Sequence, residues 1–405
     1  MNNNVKASAD ITAGMVALLA VAAGLIVANL YYAQTLVGPI SEATGLSAQA
    51  AGLIVTLTQA GYTIGLLFVV PLGDLMENRR LIVISLLSTA AALAAAAMST
   101  HAWMFLPAAF AIGLGSVAAQ ILVPFAAHLS NEATRGQTVG KVVSGLLLGI
   151  MLARPAASLI ADHGSWHFVF GGAAVLMAIL ALVLRRLLPQ RVPSSPMSYG
   201  KLIASLWTLW KTTPVLRRRG AYHVGMFGAF SLFWTVAPLM LAGPAFRLSQ
   251  TGIAIFALVG MAGAVASPIA GRLADKGLTL QATAGALSLG VVGFLLPLIV
   301  PESRNIALGA LVIASIVLDM GVAANLVLGQ RAIFVLGPEV RSRLNGIYFA
   351  LFFAGGALGS ALGAWVYADF GWHAALLTGI AFPVLAILYW MTEYLDRVRG
   401  NAQLA

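Results

Sequence analysis

Two stretches decide how this chain is read: "NEATRGQTVGKVVSGLLLGIMLARPAASLIADHGSW" at residues 131–166 and "GPEVRSRLNGIYFALFFAGGALGSALGAWVYADFGW" at residues 337–372. Laid over each other at one constant offset, they pair Arg135 with Arg341, Gly140 with Gly346, Gly149 with Gly355 and Trp166 with Trp372. Each is a polar, basic lead-in followed by an apolar run long enough to cross ~30 Å of hydrocarbon, which takes ~20 residues of helix. A second echo joins "PLGDLMENRR" (71–80) to "GRLADKG" (271–277) and pairs Asp74 with Asp275. The chain is therefore a duplication whose unit is a set of membrane helices.

Working outward, the remainder supports the same reading. The 405 residues are 60% hydrophobic and 9% charged, and the mean hydropathy of +0.93 lies outside the soluble range. Twelve apolar stretches start near Gly14, Ser47, Leu81, Ala102, Thr138, His167, Ala221, Gly252, Gln281, Ile306, Asn345 and Ala374. Each is a long run and not a ~10-residue alternation, so an all-α bundle is expected and a barrel is not. The first stretch has no small-residue cleavage site and reads as a retained helix.

Between the copies lies "RRLLPQRVPSSPMSYGKLIASLWTLWKTTPVLRRRG" (185–220), with four prolines and no acidic residue. The expected organisation is a six-helix bundle over 1–188, a basic cytoplasmic loop over 189–219 and a second six-helix bundle over 220–405. Within the loop, Leu202, Leu206, Leu209 and Trp210 share one helical face, suited either to the membrane surface or to packing on protein.

A formal charge of +10 raises the question of nucleic acid. Threading twelve spans with both termini inside sends Lys6 and nearly all the other basic residues to one face, leaving Arg247 and Arg304 on the other with Glu42, Asp162, Glu302 and Asp369. That is the positive-inside pattern, so basicity reports orientation and contact with acidic lipid, and no nucleic-acid partner is expected. The cytoplasmic (inner) membrane is the expected location.

Several chemistries are excluded. Cysteine is absent, which removes disulfides and thiolate sites. "GQTVGKV" (136–142) is one residue short of a phosphate loop and ends in Val142. The histidines are scattered apart from His163 and His167, so no metal, no cofactor and no enzymatic activity are expected. Duplicated six-helix halves are instead the mark of a secondary transporter with its site between them.

At this point the chain resembles the major facilitator superfamily along essentially its whole length. "GRLADKG" is similar to the family's loop signature GxLADRxGR, with Asp275 and Lys276 at its acidic and basic positions; the first copy has Pro71 for the leading glycine and Leu75 for the arginine after Asp74. "ANLYYAQTL" (28–36) and "LLLGIMLARPAAS" (146–158) are similar to a branch of drug/proton antiporter-like efflux carriers, although Arg154 replaces a glycine and the fourth helix lacks that branch's arginine. The resemblance implies a cavity lined by the first, fourth, seventh and tenth helices. That makes Asn29, Gln120, Trp234 and Asn325 lining candidates, with Gln59, Tyr62 and Tyr348 behind them.

Two charges lie inside predicted spans, where an unpaired charge is costly. Arg154, roughly 9 Å from the outer end of its helix, either snorkels outward or lines the cavity as a substrate or charge-pair group. Asp319 is roughly 20 Å from one end and 15 Å from the other, beyond the reach of its short side chain. It is a structural group, ion-paired or capping a helix, or else a carboxyl wetted alternately from each side, the requirement for proton coupling. Tyr31 and Tyr32 suit an interfacial belt.

Glycines repeat every four residues at Gly61 and Gly65, Gly145 and Gly149, and Gly355, Gly359 and Gly363. They suit close helix approach, at moving junctions between the halves or in static packing. Asp74, Arg79, Arg80, Arg135, Asp275, Lys276, Arg341 and Arg343 are expected to latch the cytoplasmic helix ends as a gate. Three functions fit: proton-coupled efflux of small amphipathic molecules by alternating access, uptake or exchange of an organic anion held by Arg154, or a non-transporting sensor or scaffold. The efflux reading requires a small-molecule substrate, protons and the bilayer as partners, and a monomer suffices for it.

Overall fold

The computed structural model describes residues 11–131, 134–193, 197–299, 303–337 and 340–402, with the side chains of 400–402 excepted. Lys6, Glu302 and the loop residues Ser194, Ser195 and Pro196 lie outside the described residues. Everything described is helix or connection, and the apolar runs become twelve passes.

The first pass is α1 (Ala13–Ala28), capped by the Thr12 hydroxyl at Met15 N. It does not continue as the sequence suggests. Asn29 turns its Nδ2 onto the Ile26 carbonyl, the chain makes a short 3₁₀ turn over Tyr32–Thr35, and α2 (Val37–Thr44) ends at Gly45 with φ 71°. The second pass, α3 (Leu53–Phe68), runs into a 3₁₀ turn over Val70–Asp74.

The third pass is α4 (Asn78–Ala97), whose N-terminal amides at Arg79 and Arg80 are met by the Glu77 carboxylate at 3.0 and 2.9 Å. The fourth is jogged at Val117 into α5 (Ala102–Ser116) and α6 (Ala118–Leu129). The fifth and sixth are α7 (Arg135–His163) and α8 (Trp166–Leu187).

After the loop helix α9 (Tyr199–Thr212), α10 (Pro214–Ala242) starts inside the expected loop, because Pro214 is suited to a first helical turn. The eighth pass is α11 (Gln250–Gly260), a 3₁₀ link over Met261–Val265, and α12 (Ala266–Asp275). The ninth and tenth are α13 (Thr279–Ile299) and α14 (Arg304–Phe334). The last helical stretch, α15 (Arg341–Ala402), holds two passes: Gly371, at φ 80° and ψ −172°, turns the chain back without a loop. At ~1.5 Å per residue an unbroken helix of that length would span several bilayers.

The duplication survives in the packing. Gly149 brings α7 against the backbone of α1 at Gly24, and its repeat partner Gly355 brings α15 against the backbone of α10 at Val224. Gly61 and Gly65 face α5 and the residue after it, while Gly359 and Gly363 face Gly228 and Leu232 of α10. The glycine stripes therefore pack helices within each half and do not form the junction between halves. Periodicity signals a close neighbour without naming it. Junction contacts belong to other glycines: Gly52 abuts Ser360 and Ala364, and Gly356 abuts Gln59.

The two faces differ. On the face opposite the central loop, the halves are joined by Gln49 Nε2 donating to Asp369 (2.9 Å), by Thr56 Oγ1 and Ser360 Oγ (2.8 Å), and by Thr251 donating to Asp162. On the loop face, residues of both halves line a cavity of about 240 Å³, among them Leu66, Asp74, Ile121, Arg191, Leu206 and Arg343. Helix α9 covers it. Leu202 and Leu206 are buried beneath α9, Tyr199 donates to the Phe68 carbonyl at 2.8 Å, and Arg343 donates to Ser205 at 3.0 Å. The apolar face of the loop helix thus packs on protein and not on lipid.

Candidate functional site

The residue that raised the hardest question gives the clearest geometry. Arg154, on α7, is only 5% exposed. It does not snorkel. Its guanidinium carbon lies 4.2 Å from the ring centroid of Trp234, 4.9 Å from Phe230 and 5.7 Å from Tyr31. Two of these rings come from α10 in the second half, so the cation crosses the junction. A desolvated guanidinium over an aromatic face gains about 2 kcal/mol, which offsets part of the cost of its burial.

Trp234 also looks the other way. Its indole Nε1 donates to Asp319 Oδ1 at 3.0 Å. The close passage of the eighth pass past α14 at Gly263 sets the place of that carboxylate, because a Cβ at Gly263 would lie 2.6 Å from the Asp319 Cβ. Asp319 is half-buried. Among the described residues no ion pair joins Arg154 to Asp319; the tryptophan stands between them. The two intramembrane charges are thus linked across the halves by one aromatic ring, with cation on its face and carboxylate at its edge.

The interrupted first pass supplies the rest of the wall. Thr35 Oγ1 donates to the Arg154 carbonyl at 3.3 Å, which brings the 3₁₀ turn against α7. Tyr31 sits under the guanidinium and is buried, so it is not an interfacial belt residue. Gln34 is fully buried with neither amide atom partnered, and Asn29 Oδ1, Arg154 Nε and Ser158 Oγ also lack partners among the described residues. A buried polar atom without a partner costs about 1–3 kcal/mol, so these atoms retain hydrogen-bonding capacity at membrane depth. Irregular backbone at membrane depth is tolerated where it is buried in protein, as the turn is here against α7.

The other expected lining residues divide. Gln120 is half-buried beside Tyr62. Gln59 donates to Ser231 at 2.9 Å and ties the halves together. Asn325 lies about 9 Å along α14 from Asp319, in a separate cluster where it meets His223 Nδ1 at 2.7 Å while the imidazole stacks on Tyr348 and Phe352. Phe230, Gln34, Ser158 and His223 are additions that sequence reasoning missed. The only sequence signal for Gln34 was its place in the polar run "NLYYAQT".

The loop-face charges of the expected latch have partners of several kinds. Arg331 holds Asp275 within the second half, Arg135 donates to the Ala127 carbonyl, Arg79 to the Leu188 carbonyl and Arg341 to the Phe334 carbonyl. Arg80 is exposed and Lys276 ends α12. Asp74 and Arg343 share the loop-face cavity from opposite halves. Among the described residues no group of three His, Asp or Glu side chains is placed to hold a metal ion.

With this geometry in hand, known proteins can be compared. Residues 16–337 match the Major Facilitator Superfamily. The chain is 40% identical over 397 residues to the "Putative uncharacterized transporter YgaY" of Escherichia coli K12, covering 98% of this chain and 100% of that one. It is 32% identical over 371 residues to the "Probable transporter SCO4007" of Streptomyces coelicolor, covering 91% and 85%. The crystal structure of the nucleoside transporter NupG shares the fold with a TM-score of 0.72 at 14% identity, over 93% of this chain and 99% of that one. A bacterial homologue of the lysosomal transporter Spinster, inward-facing and unoccupied, follows at 0.71 and 13%, over 93% and 96%. Twelve passes, a duplicated packing plan and a family match over most of its length agree: the chain belongs to the Major Facilitator Superfamily of membrane transporters.

Proposed function

We propose that this transporter exports small amphipathic molecules in exchange for protons, by alternating access between its two halves. It works as a monomer in the inner membrane, with both termini and the central loop cytoplasmic. The observation that carries the reading is the Arg154–Trp234–Asp319 assembly, which places one deep carboxyl in contact with the junction itself. When Asp319 is ionised it accepts the Trp234 N–H and faces the field of Arg154. Protonation removes the negative charge that orders this array, so occupancy of the carboxyl is tied to how the halves meet. An amphipathic solute seated on the aromatic wall competes for the same surfaces. A sensor or scaffold would have no use for unpaired polar groups at this depth.

The test is transport by purified protein in liposomes under an imposed pH gradient, screening cationic dyes and organic acids, with Asp319→Asn beside the parent. Asparagine keeps an oxygen to accept the Trp234 N–H but carries no proton. Each pH unit is worth about 1.4 kcal/mol per proton, so one carboxyl exchanging one proton sustains up to about tenfold accumulation per unit. The variant should retain substrate exchange and lose the gradient; accumulation equal to the parent refutes the assignment.

A second reading has its own support. Arg154 Nε and the Gln34 amide, buried and unpartnered, suit an organic anion. Arg154→Ala separates the two: lost affinity for organic acids favours the anion, and unchanged dye export favours the first reading.

A further inference from the structure

A second cavity lies away from the central site. It occupies about 640 Å³ at the loop-face end of the second half, between the start of α10, the turn before α13 and the ends of α14 and α15. Arg218, Arg219, Arg331 and Arg397 line it, with Glu393 as the acid among them and Thr279 at the start of α13.

The charges do not cancel. Glu393 is saturated: Oε1 accepts from Arg219 at 3.2 Å and Arg397 at 3.1 Å, and Oε2 accepts from Tyr222 at 2.9 Å. Arg218 holds Asp396 at 2.9 Å and Arg331 holds Asp275, both acids being largely exposed. Four guanidinium groups against three carboxylates leave one positive charge over. Arg331 and Arg397 each commit a single terminal nitrogen to these bonds, so the other donors of both forks point to a ligand rich in acceptor oxygens, which is the chemistry of phosphate.

The surroundings select the source of that phosphate. Below Thr392 and Asp396, which Arg218 holds, α15 exposes Leu385, Leu388 and Met391, with Tyr389 under the Arg218 guanidinium. This is an apolar stripe with the aromatic belt of a membrane interface. It leads from the hydrocarbon to Arg218 at the rim of the cavity, and Val215 and Val335 are exposed at the cavity itself. A free anion has no use for such a stripe, whereas an acyl chain does. We infer that this cavity is a binding site for the phosphate headgroup of an acidic phospholipid, whose chains lie along α15. Basic pockets between helix ends are suited to such headgroups.

The experiment uses the full chain, purified in detergent, with thermal midpoints and native mass spectrometry after addition of cardiolipin, phosphatidylglycerol, phosphatidylcholine or inorganic phosphate. The perturbed protein is Arg331→Gln with Arg397→Gln. Both side chains are about half exposed, so folding does not depend on them. The control is Arg185→Gln with Arg186→Gln, exposed at the end of α8.

The acidic lipids should raise the midpoint by a few degrees and remain bound in the gas phase. The double variant should bind them at least tenfold more weakly, each of its two lost charge-assisted contacts being worth about that factor. The control should behave as the parent. Equal binding by the double variant overturns the site, and an equal effect of phosphatidylcholine overturns the headgroup. If millimolar phosphate stabilises as well as the lipid and displaces it, the cavity serves a soluble phosphate and the lipid assignment fails.

Discussion

At Gly52 the backbones of the two halves meet, and adding one methyl there tests whether the face opposite the loop opens by a rocking motion. A Cβ at Gly52 would lie 2.7 Å from the Ala364 Cβ and overlap the Ser360 carbonyl. Carbon atoms pack at about 3.5–4.0 Å, so α3 and α15 must separate by about 1 Å. Overpacking of this size costs about 1–3 kcal/mol. The cost falls on the state described here and vanishes once the far face opens. The ratio of far-face-open to far-face-closed molecules should therefore rise about 5- to 150-fold in Gly52→Ala. Because the chain has no cysteine, Ser360→Cys makes a clean reporter: Ser360 is fully buried at that junction. Its labelling by an impermeant maleimide tracks the population of the far-face-open state. Gly171→Ala, whose Cβ would meet Ala97 at an ordinary 3.9 Å, is the matched control. A labelling rate within twofold of the reporter-only protein, with folding intact, refutes the rocking junction at Gly52.

Two further outcomes follow from the same geometry. Gly149→Ala forces α7 off the backbone of α1 and should lower thermal stability by about 1–3 kcal/mol, while Gly140→Ala on the same helix, with nothing within 4 Å of the new Cβ, should be neutral or gain up to about 1 kcal/mol; equal effects in a thermal scan would contradict the packing. Tyr199→Phe removes the hydrogen bond that ties α9 to α3 and should speed labelling of a Gly346→Cys reporter in the loop-face cavity about two- to tenfold, the worth of one such bond; an unchanged rate would mean that α9 is not its cover.

Much of this fold is legible in the sequence because bilayer thickness converts apolar run length directly into passes. The two copies are legible for a related reason: helix starts and close-packing glycines recur at one offset, and Gly149 and Gly355 do make equivalent contacts in their halves. Contact partners are another matter. The stripes at Gly145 and Gly355 announce that a backbone comes near, yet a repeat every four residues is the same whether that backbone belongs to the same half or the other. The break after Ala28 was hidden for a similar reason. Nothing in "ANLYYAQTL" forbids a helix; the irregular turn is held by tertiary contacts such as Thr35 to the Arg154 carbonyl, which are invisible one segment at a time. Arg154 and Asp319 were each legible as charges that membrane burial must explain, and Trp234 as a lining candidate implied by the resemblance, but the ring that joins the charges depends on three passes far apart in the chain.

That ring also bears on why the two charges do not form a direct bridge. Separating a buried ion pair strands two desolvated charges and costs about 3–5 kcal/mol, a large barrier to place on a junction that parts in the proposed cycle. A guanidinium lifted from an aromatic face loses about 2 kcal/mol, and here Arg154 keeps Tyr31 of its own half as a companion while Trp234 and Phe230 leave with the other. Asp319 and Trp234 travel together, since α10 and α14 belong to the same half. Motion of the halves therefore breaks the weaker contact and spares the stronger one. In the proposed cycle, the proton on Asp319 acts on the weaker contact through Trp234, which needs only a modest change in free energy to tip the balance between the two openings.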